Sequence, residues 1–321
     1  MLVRVLLVLA FMVFALASIR ADELSDLQAF AKAAKGECYK HGEKQCRLEF
    51  GRETSDADMV ALGKMPTDTV MSLNIVNCSS ITDTGFLAIA SMPNLSYLNL
   101  PSQLSDTAYV GMAKRFPKVA SASISFSVFK ERSPLTTAGL KSFADMPSLL
   151  GLSLHRTAVD DTCWEVLSKM PRLMNLAITG SKLTGEGIEK LSKCSRLNNL
   201  DFEKLTLTAV GVGQLSKVES LSILRIVECG VDDQGLSGLS KHSKLWNVTL
   251  QGNPISDAGV ESLAKIKTLA DVTISSPKLT NAVYTHLSAM TSLRVLSIYG
   301  GSITAAGKAE FQKAKPKVTI N

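Results

Sequence analysis

Four histidines and six cysteines are the side chains of this 321-residue sequence best suited to metal ligation or nucleophilic attack. His41, His155, His242 and His286 stand far apart, and no two share a metal-ligand spacing. No phosphate-binding glycine loop and no GxSxG nucleophile turn occurs. The carboxylate groups Asp56-Ala57-Asp58 and Asp232-Asp233 fall where helices should begin, a sufficient reason for their presence. Cys38 and Cys46 flank a short polar stretch and form a disulfide candidate if the chain is exported. Cys78, Cys163, Cys194 and Cys229 occupy places that suit small buried hydrophobes, and His242 holds the same place as Cys194 in a recurring pattern. These residues point to no catalytic group, no metal and no cofactor, so the chain is expected not to be an enzyme.

The recurring pattern has a step of 24 residues. Leucines recur at Leu149, Leu173, Leu197, Leu221, Leu245, Leu269 and Leu293, with looser earlier copies from Val70, Leu95 and Val119. In the copy beginning at Leu245, Val248 and Leu250 alternate with Asn247, Thr249 and Gln251, as in a strand with one buried face. A Gly252-Asn253-Pro254 bend follows, then Ser256 and Asp257 as a helix start, then Gly259, Val260, Leu263 and Ala264 on one helical face. A cap-type residue recurs at Asp160, Thr184, Thr208, Asp232, Ser256, Thr280 and Thr304. Six apolar side chains cannot offset the entropy of ordering two dozen residues, so one copy must stack on others. The recurring glycine (Gly85, Gly139, Gly187, Gly211, Gly235, Gly259, Gly307) is read as letting helix and sheet approach closely.

The phrases Ile81-Thr82-Asp83-Thr84-Gly85-Phe86 and Ile255-Ser256-Asp257-Ala258-Gly259-Val260 resemble the ITDxGL signature of cysteine-containing-type leucine-rich repeats. With its 24-residue step and apparent export signal, the chain resembles secreted leucine-rich-repeat proteins of planctomycete-type bacteria. The resemblance covers about residues 67–321. It implies an α/β fold: a right-handed solenoid (horseshoe) with a parallel β-sheet on the concave face and α-helices on the convex face. The family is a scaffold class and implies no single activity.

Taken in order, residues 1–21 read as a secretory signal: Arg4, the apolar run Val5–Leu16, and cleavage sites after Ala17 or Ala21, with an uncleaved anchor as the rival. Residues 22–66 read as an N-terminal capping region: a helical stripe of Leu24, Leu27, Phe30, Ala31 and Ala34, a polar stretch Cys38–Gln45, and a strand near Arg47–Phe50. Residues 67–321 are read as the leucine-rich-repeat domain of about ten units, expected to end in a partial strand with no appended domain. Net charge is +6, and near +4 once Arg4 and Arg20 are removed with the signal, which does not call for nucleic acid. Lysines late in the helices (Lys114, Lys141, Lys169, Lys193, Lys217, Lys241, Lys265) are read as solvated helix ends rather than a binding stripe. The step from Val119 to Leu149 carries six extra residues around Phe126 and Phe129, either a binding-edge insert or two aromatics folded onto the core.

The outward strand positions are the candidate working surface, rich in hydroxyls and amides. Charge concentrates at Asp201, Glu203 and Arg225, surrounded by His155, Asn175, Asn199 and Asn247, with Phe126 and Phe129 at the edge. Asp201 and Arg225 hold equivalent places in adjacent units and should be neighbours. The expected function is non-catalytic recognition, in the periplasm, cell envelope or extracellular space, of a protein or glycan ligand bound through the concave face. No nucleic acid and no membrane span after signal cleavage are expected. The alternatives are a structural spacer of the cell envelope, or a substrate-recognition or effector protein related to F-box-type leucine-rich-repeat proteins.

Overall fold

Strand positions that alternate between buried and half-buried define the architecture. The structure is a computed structural model that describes residues 23–42, 45–125 and 132–321. Residues 1–21, read as the signal, and Phe126 and Phe129 of the insert lie outside the described residues. Contacts divide the chain into two compact units, one ending at Ala158 and one beginning at Val159.

The first unit opens with a helix over Glu23–Ala33, which buries Leu24, Leu27, Phe30 and Ala31 as its spacing requires. Strands β1 (Glu37–His41) and β2 (Gln45–Glu49) then form an antiparallel hairpin. The stretch read as a polar loop is therefore mostly strand. Its charged residues gave no alternation to read, because β1 is almost wholly exposed. From β2 onward the strands are parallel: β3 (Val70–Asn74), β4 (Tyr97–Pro101), β5 (Ser121–Ser125) and β6 (Gly151–His155). Each connection carries a helical segment, as parallel pairing demands.

The second unit repeats this plan with more regular spacing. Its strands are β7 (Asn175–Thr179), β8 (Asn199–Glu203), β9 (Ile223–Val227), β10 (Asn247–Gln251), β11 (Asp271–Ser275), β12 (Val295–Tyr299) and β13 (Thr319–Ile320). From β7 to β12 the paired residues are 24 apart, so Leu224, Val248 and Val272 form one buried row and Ile226, Leu250 and Ile274 another. Sequence repeat and sheet register are thus the same quantity.

Helix starts tie neighbouring copies together. Ser256 caps the helix Asp257–Ala264 by accepting from the amide of Ala258. The first residue of the preceding helix, Asp233, accepts from the Ser256 amide at 2.8 Å and from its hydroxyl at 2.6 Å. The same pair of bonds joins Thr82 to Asp56, Ser105 to Asp83, Thr136 to Asp106, and Thr280 to Asp257. Thr184 bonds Asp161 likewise, and in the last copy Asn281 serves Thr304. Where the next cap is itself an acid, Asp232, the preceding place holds Ala209, which avoids two facing carboxylates.

This arrangement corrects the reading of the recurring glycine. A Cβ at Gly85 would stand 2.1 Å from the Asp56 carboxylate, one at Gly139 2.2 Å from that of Asp106, and one at Gly259 2.4 Å from that of Asp233. A Cβ at Gly307 would meet the Asn281 amide at 2.5 Å. In these four copies the glycine makes room for the side chain of the neighbouring helix start; the approach of helix to sheet does not decide it.

Other positions behave as their residue types require. Arg115 donates to the Phe86 and Ala108 carbonyls at 2.9 and 3.2 Å and lies over the rings of Phe86 and Phe116, closing helix ends without any carboxylate. Asn253 donates to the carbonyls of Ile226 and Gln251 and accepts from the amides of Cys229 and Val231, satisfying a buried bend.

Candidate functional site

The sheet of the second unit places three outward rows side by side. The first runs Asn175, Asn199, Ile223, Asn247 and Asp271; the second runs Ala177, Asp201, Arg225, Thr249 and Thr273. The third runs Thr179, Glu203, Val227, Gln251 and Ser275. These side chains point outward because Leu, Ile, Val and Phe at the alternate positions are drawn to the helix side.

Asp201 and Arg225 are register partners, and Arg225 Nη1 donates to Asp201 Oδ1 at 2.6 Å. Both terminal nitrogens, Nη1 and Nη2, donate to Glu203 Oε2 at 3.3 Å. Lys204 Nζ lies 3.4 Å from Glu203 Oε1 and 4.0 Å from Glu228 Oε2. Three carboxylates therefore face two cations, with the side chains of Asp201 and Arg225 still 38% and 37% exposed. Partial burial would lower the Arg225 pKa, but hydrogen bonds and charge from Asp201 and Glu203 outweigh it and raise the value. Arg225 stays charged. The cluster is a polar platform with one surplus negative charge, suited to orienting donors on a ligand.

The remaining predicted residues separate. Asn175, Asn199 and Asn247 share the first outward row, while His155 lies on β6 of the first unit. In that unit the outward positions Tyr97, Asn99, Ser121, Ser123 and Ser153 carry no charge, Tyr97 is half exposed, and β2 carries an ion pair, Arg47 with Glu49 at 2.9 Å. Ser297, another outward position, is covered by Asn321, whose side chain donates to its hydroxyl at 3.0 Å.

His242 and the four buried cysteines of the repeats are held away from nucleophilic or ligating chemistry. His242 is buried; its Nδ1 accepts from the amides of Lys244 and Leu245, which leaves Nε2 to donate to the Val218 carbonyl. Burial pushes its pKa down and keeps it neutral. Burial also pushes the thiol of Cys78 up to about 12 and those of Cys194 and Cys229 up to about 11, away from thiolate chemistry. Cys163 moves in the same direction for the same reason. Among the described residues, no group of three or more His, Cys, Asp or Glu could hold a metal ion.

Cys38 and Cys46 are free thiols on the two strands of the hairpin. Cys38 pairs with Leu48 and Cys46 with Lys40, so the two cysteines sit one diagonal step apart rather than directly opposite. Burial, with the charge of and hydrogen bond from Cys46, pushes the Cys38 thiol up to about 12.

A family model described as "Leucine Rich repeat" matches residues 248–264, which span β10, the bend and the following helix. The fold is that of a leucine-rich-repeat protein. The structure is similar to that of an internalin (inlF) from Listeria monocytogenes, at 13% identity and a TM-score of 0.53, with 92% of this chain and 88% of that chain covered. It also overlaps an internalin C2 (inlC2) of the same organism at 14% identity and a TM-score of 0.41, covering 80% and 88% of the two chains. No curated protein matches the sequence. Among the described residues, no helix of this leucine-rich-repeat fold is long and apolar enough to cross a membrane.

Sequence reasoning missed one feature beside the site: each helix-start carboxylate explains itself within its copy, although the Ser/Thr-Asp pair recurring with the repeat carries the signal for a link between copies.

Proposed function

We propose that the protein is an exported, non-catalytic recognition module that takes a protein partner on the outward sheet face of its second unit. The observation that carries this reading is the Asp201–Glu203–Arg225 cluster. It is fixed by the register of adjacent strands, half exposed, flanked by the amide row Asn175, Asn199 and Asn247, and not required by the core. Exposed ion pairs of this kind contribute about 0–1 kcal/mol to stability, so folding alone gives little reason to hold three charges there. A platform of short, pre-positioned polar groups loses little entropy on binding.

The test is affinity capture from an envelope extract with the mature chain, beside the triple variant Asp201→Ala, Glu203→Ala, Arg225→Ala. A saturable partner that the triple variant loses, with its thermal melt unchanged, supports the reading. Retention of the partner at equal affinity moves the interface elsewhere, and absence of any saturable partner favours a spacer.

A further inference from the structure

The second unit carries a band of positive charge that the sheet-face reading does not use. In-register parallel strands put the residues just ahead of β8, β9, β10 and β11 along one edge. Main-chain bonds there step from Ser222 to Asn198, Trp246 to Ser222, and Ala270 to Trp246 at 2.8–3.0 Å. The four segments 193–196, 217–220, 241–244 and 265–268 read KCSR, KVES, KHSK and KIKT, seven cations against the single acid Glu219. Lys265 is paired with Glu261. Lys193, Arg196, Lys217, Lys241, Lys244 and Lys267 are exposed and have no ion pair among the described residues.

Helix dipoles do not account for this band. The equivalent segments of the first unit, 66–69, 91–94, 115–118 and 145–148, read PTDT, SMPN, RFPK and DMPS, two cations against two acids at the same kind of helix end. Internal bonding does not account for it either. Just before the first leucine of a copy, Ser220, Thr268 and Ser292 tie back to carbonyls of the preceding copy at 2.6–2.7 Å. Arg196 and Lys244 hold that place and make no such bond among the described residues.

One aromatic stands in the band. Trp246 is 44% exposed between Ser222 and Ala270, which leave its ring uncrowded. The positions equivalent to it hold Met174, Asn198, Ser222, Ala270 and Arg294. Single-stranded nucleic acid would stack successive bases on successive aromatics, and this edge offers one. Cations stepping at the strand spacing of about 4.8 Å, with a single flat ring among them, suit a chain of sugar rings that carry regular acid groups.

We infer that this edge binds a linear acidic polysaccharide, with Lys193, Arg196, Lys217, Lys241, Lys244 and Lys267 facing its acid groups and Trp246 stacking on one sugar ring. The surface is distinct from the Asp201–Arg225 platform, and the inference does not depend on it.

Polygalacturonate titrated into the intact protein tests this, with fully methyl-esterified polygalacturonate as the uncharged control and oligo(dT) of matched charge as the rival polyanion. Trp164 is fully buried, so a change in tryptophan emission reports on Trp246. The expected result is saturable binding of polygalacturonate that weakens with salt, with no binding of the ester. Arg196→Ser with Lys244→Ser copies the serine found at Ser220 and Ser292, which keeps the fold, and should weaken binding about three- to tenfold and flatten the salt dependence. Trp246→Ser copies Ser222 and should weaken binding without changing that slope. No binding, equal binding of the ester, unchanged binding by the double variant, or tighter binding of oligo(dT) would overturn the inference.

Discussion

Removing the Asp233 carboxylate should weaken the fold and, at the same time, relieve part of the need for glycine at position 259. Asp233 accepts two bonds from Ser256, at 2.8 and 2.6 Å, at a half-buried site. Hydrogen bonds to a charged group contribute about 1.5–3 kcal/mol when buried, and solvent access reduces each to about 1, so Asp233→Ala should cost about 2 kcal/mol. Asp233→Asn should cost under about 1 kcal/mol, because Asn281 already performs the same task for Thr304. Gly259→Ala should gain about 1 kcal/mol of helix propensity on an open surface. Here the new methyl meets Asp233 Oδ1 at 2.4 Å, so the change should instead destabilise by about 1–3 kcal/mol. In an Asp233→Ala background the clash with the carboxylate is gone, while Ile255 Cγ2 at 2.8 Å and Leu236 Cδ1 at 3.1 Å remain, so only part of the cost is relieved. The two changes should therefore couple by about 1–2 kcal/mol. Urea unfolding of the wild type, both single variants and the double variant measures this. Costs that add within about 0.3 kcal/mol would refute the account of the glycine.

Three further outcomes follow from the packing and the titrating groups. Leu250 is fully buried, so Leu250→Asp should abolish cooperative folding, whereas Ser256→Ala should cost about 1 kcal/mol; similar melts for the two would place the wrong face inside. His242 has its pKa lowered chiefly by burial, so the unfolded chain takes up the proton first. That contribution to stability is complete above the ordinary histidine value of about 6.5 and is lost as pH falls through it toward the folded value. Wild-type melts should lose more between pH 7.5 and 5 than those of a folded His242→Gln variant, and parallel losses would remove His242 as the cause. Under oxidising conditions Cys38 and Cys46 should close a disulfide with a small shift of the hairpin, since they sit one diagonal step apart on paired strands; ready alkylation of both in oxidised, folded protein would exclude it.

The interior was largely legible because burial acts on every copy in the same way. Val248 and Leu250, Leu224 and Ile226, Val272 and Ile274 repeat at the 24-residue step that is also the sheet register, so a pattern in sequence became a contact in space. The same 24-residue step places Asp201 beside Arg225. The hairpin was harder. Glu37–His41 is a strand held by its partner and by the Glu23–Ala33 helix rather than by an apolar face of its own, and charged residues at an exposed edge do not alternate. The links between helix starts were missed for another reason: a capping residue explains itself within one copy, and only coordinates show that Asp233 serves the next one.

For the proposed recognition role, the informative positions are those where this chain departs from its own repeat. Val248 and Leu250 recur because each copy needs them, so their conservation within the chain concerns stability. Arg196 and Lys244 stand where Ser220, Thr268 and Ser292 tie copies together, and they exchange a local bond for an exposed charge. Arg225 stands in an outward row that elsewhere holds Ala177, Thr249 and Thr273, and it draws two carboxylates to itself. Such exchanges give folding little, and both are confined to surfaces a ligand could reach. A partner that selects among leucine-rich-repeat folds would have to read these departures, since the shared apolar positions are buried and the shared caps and helix ends are common to every copy.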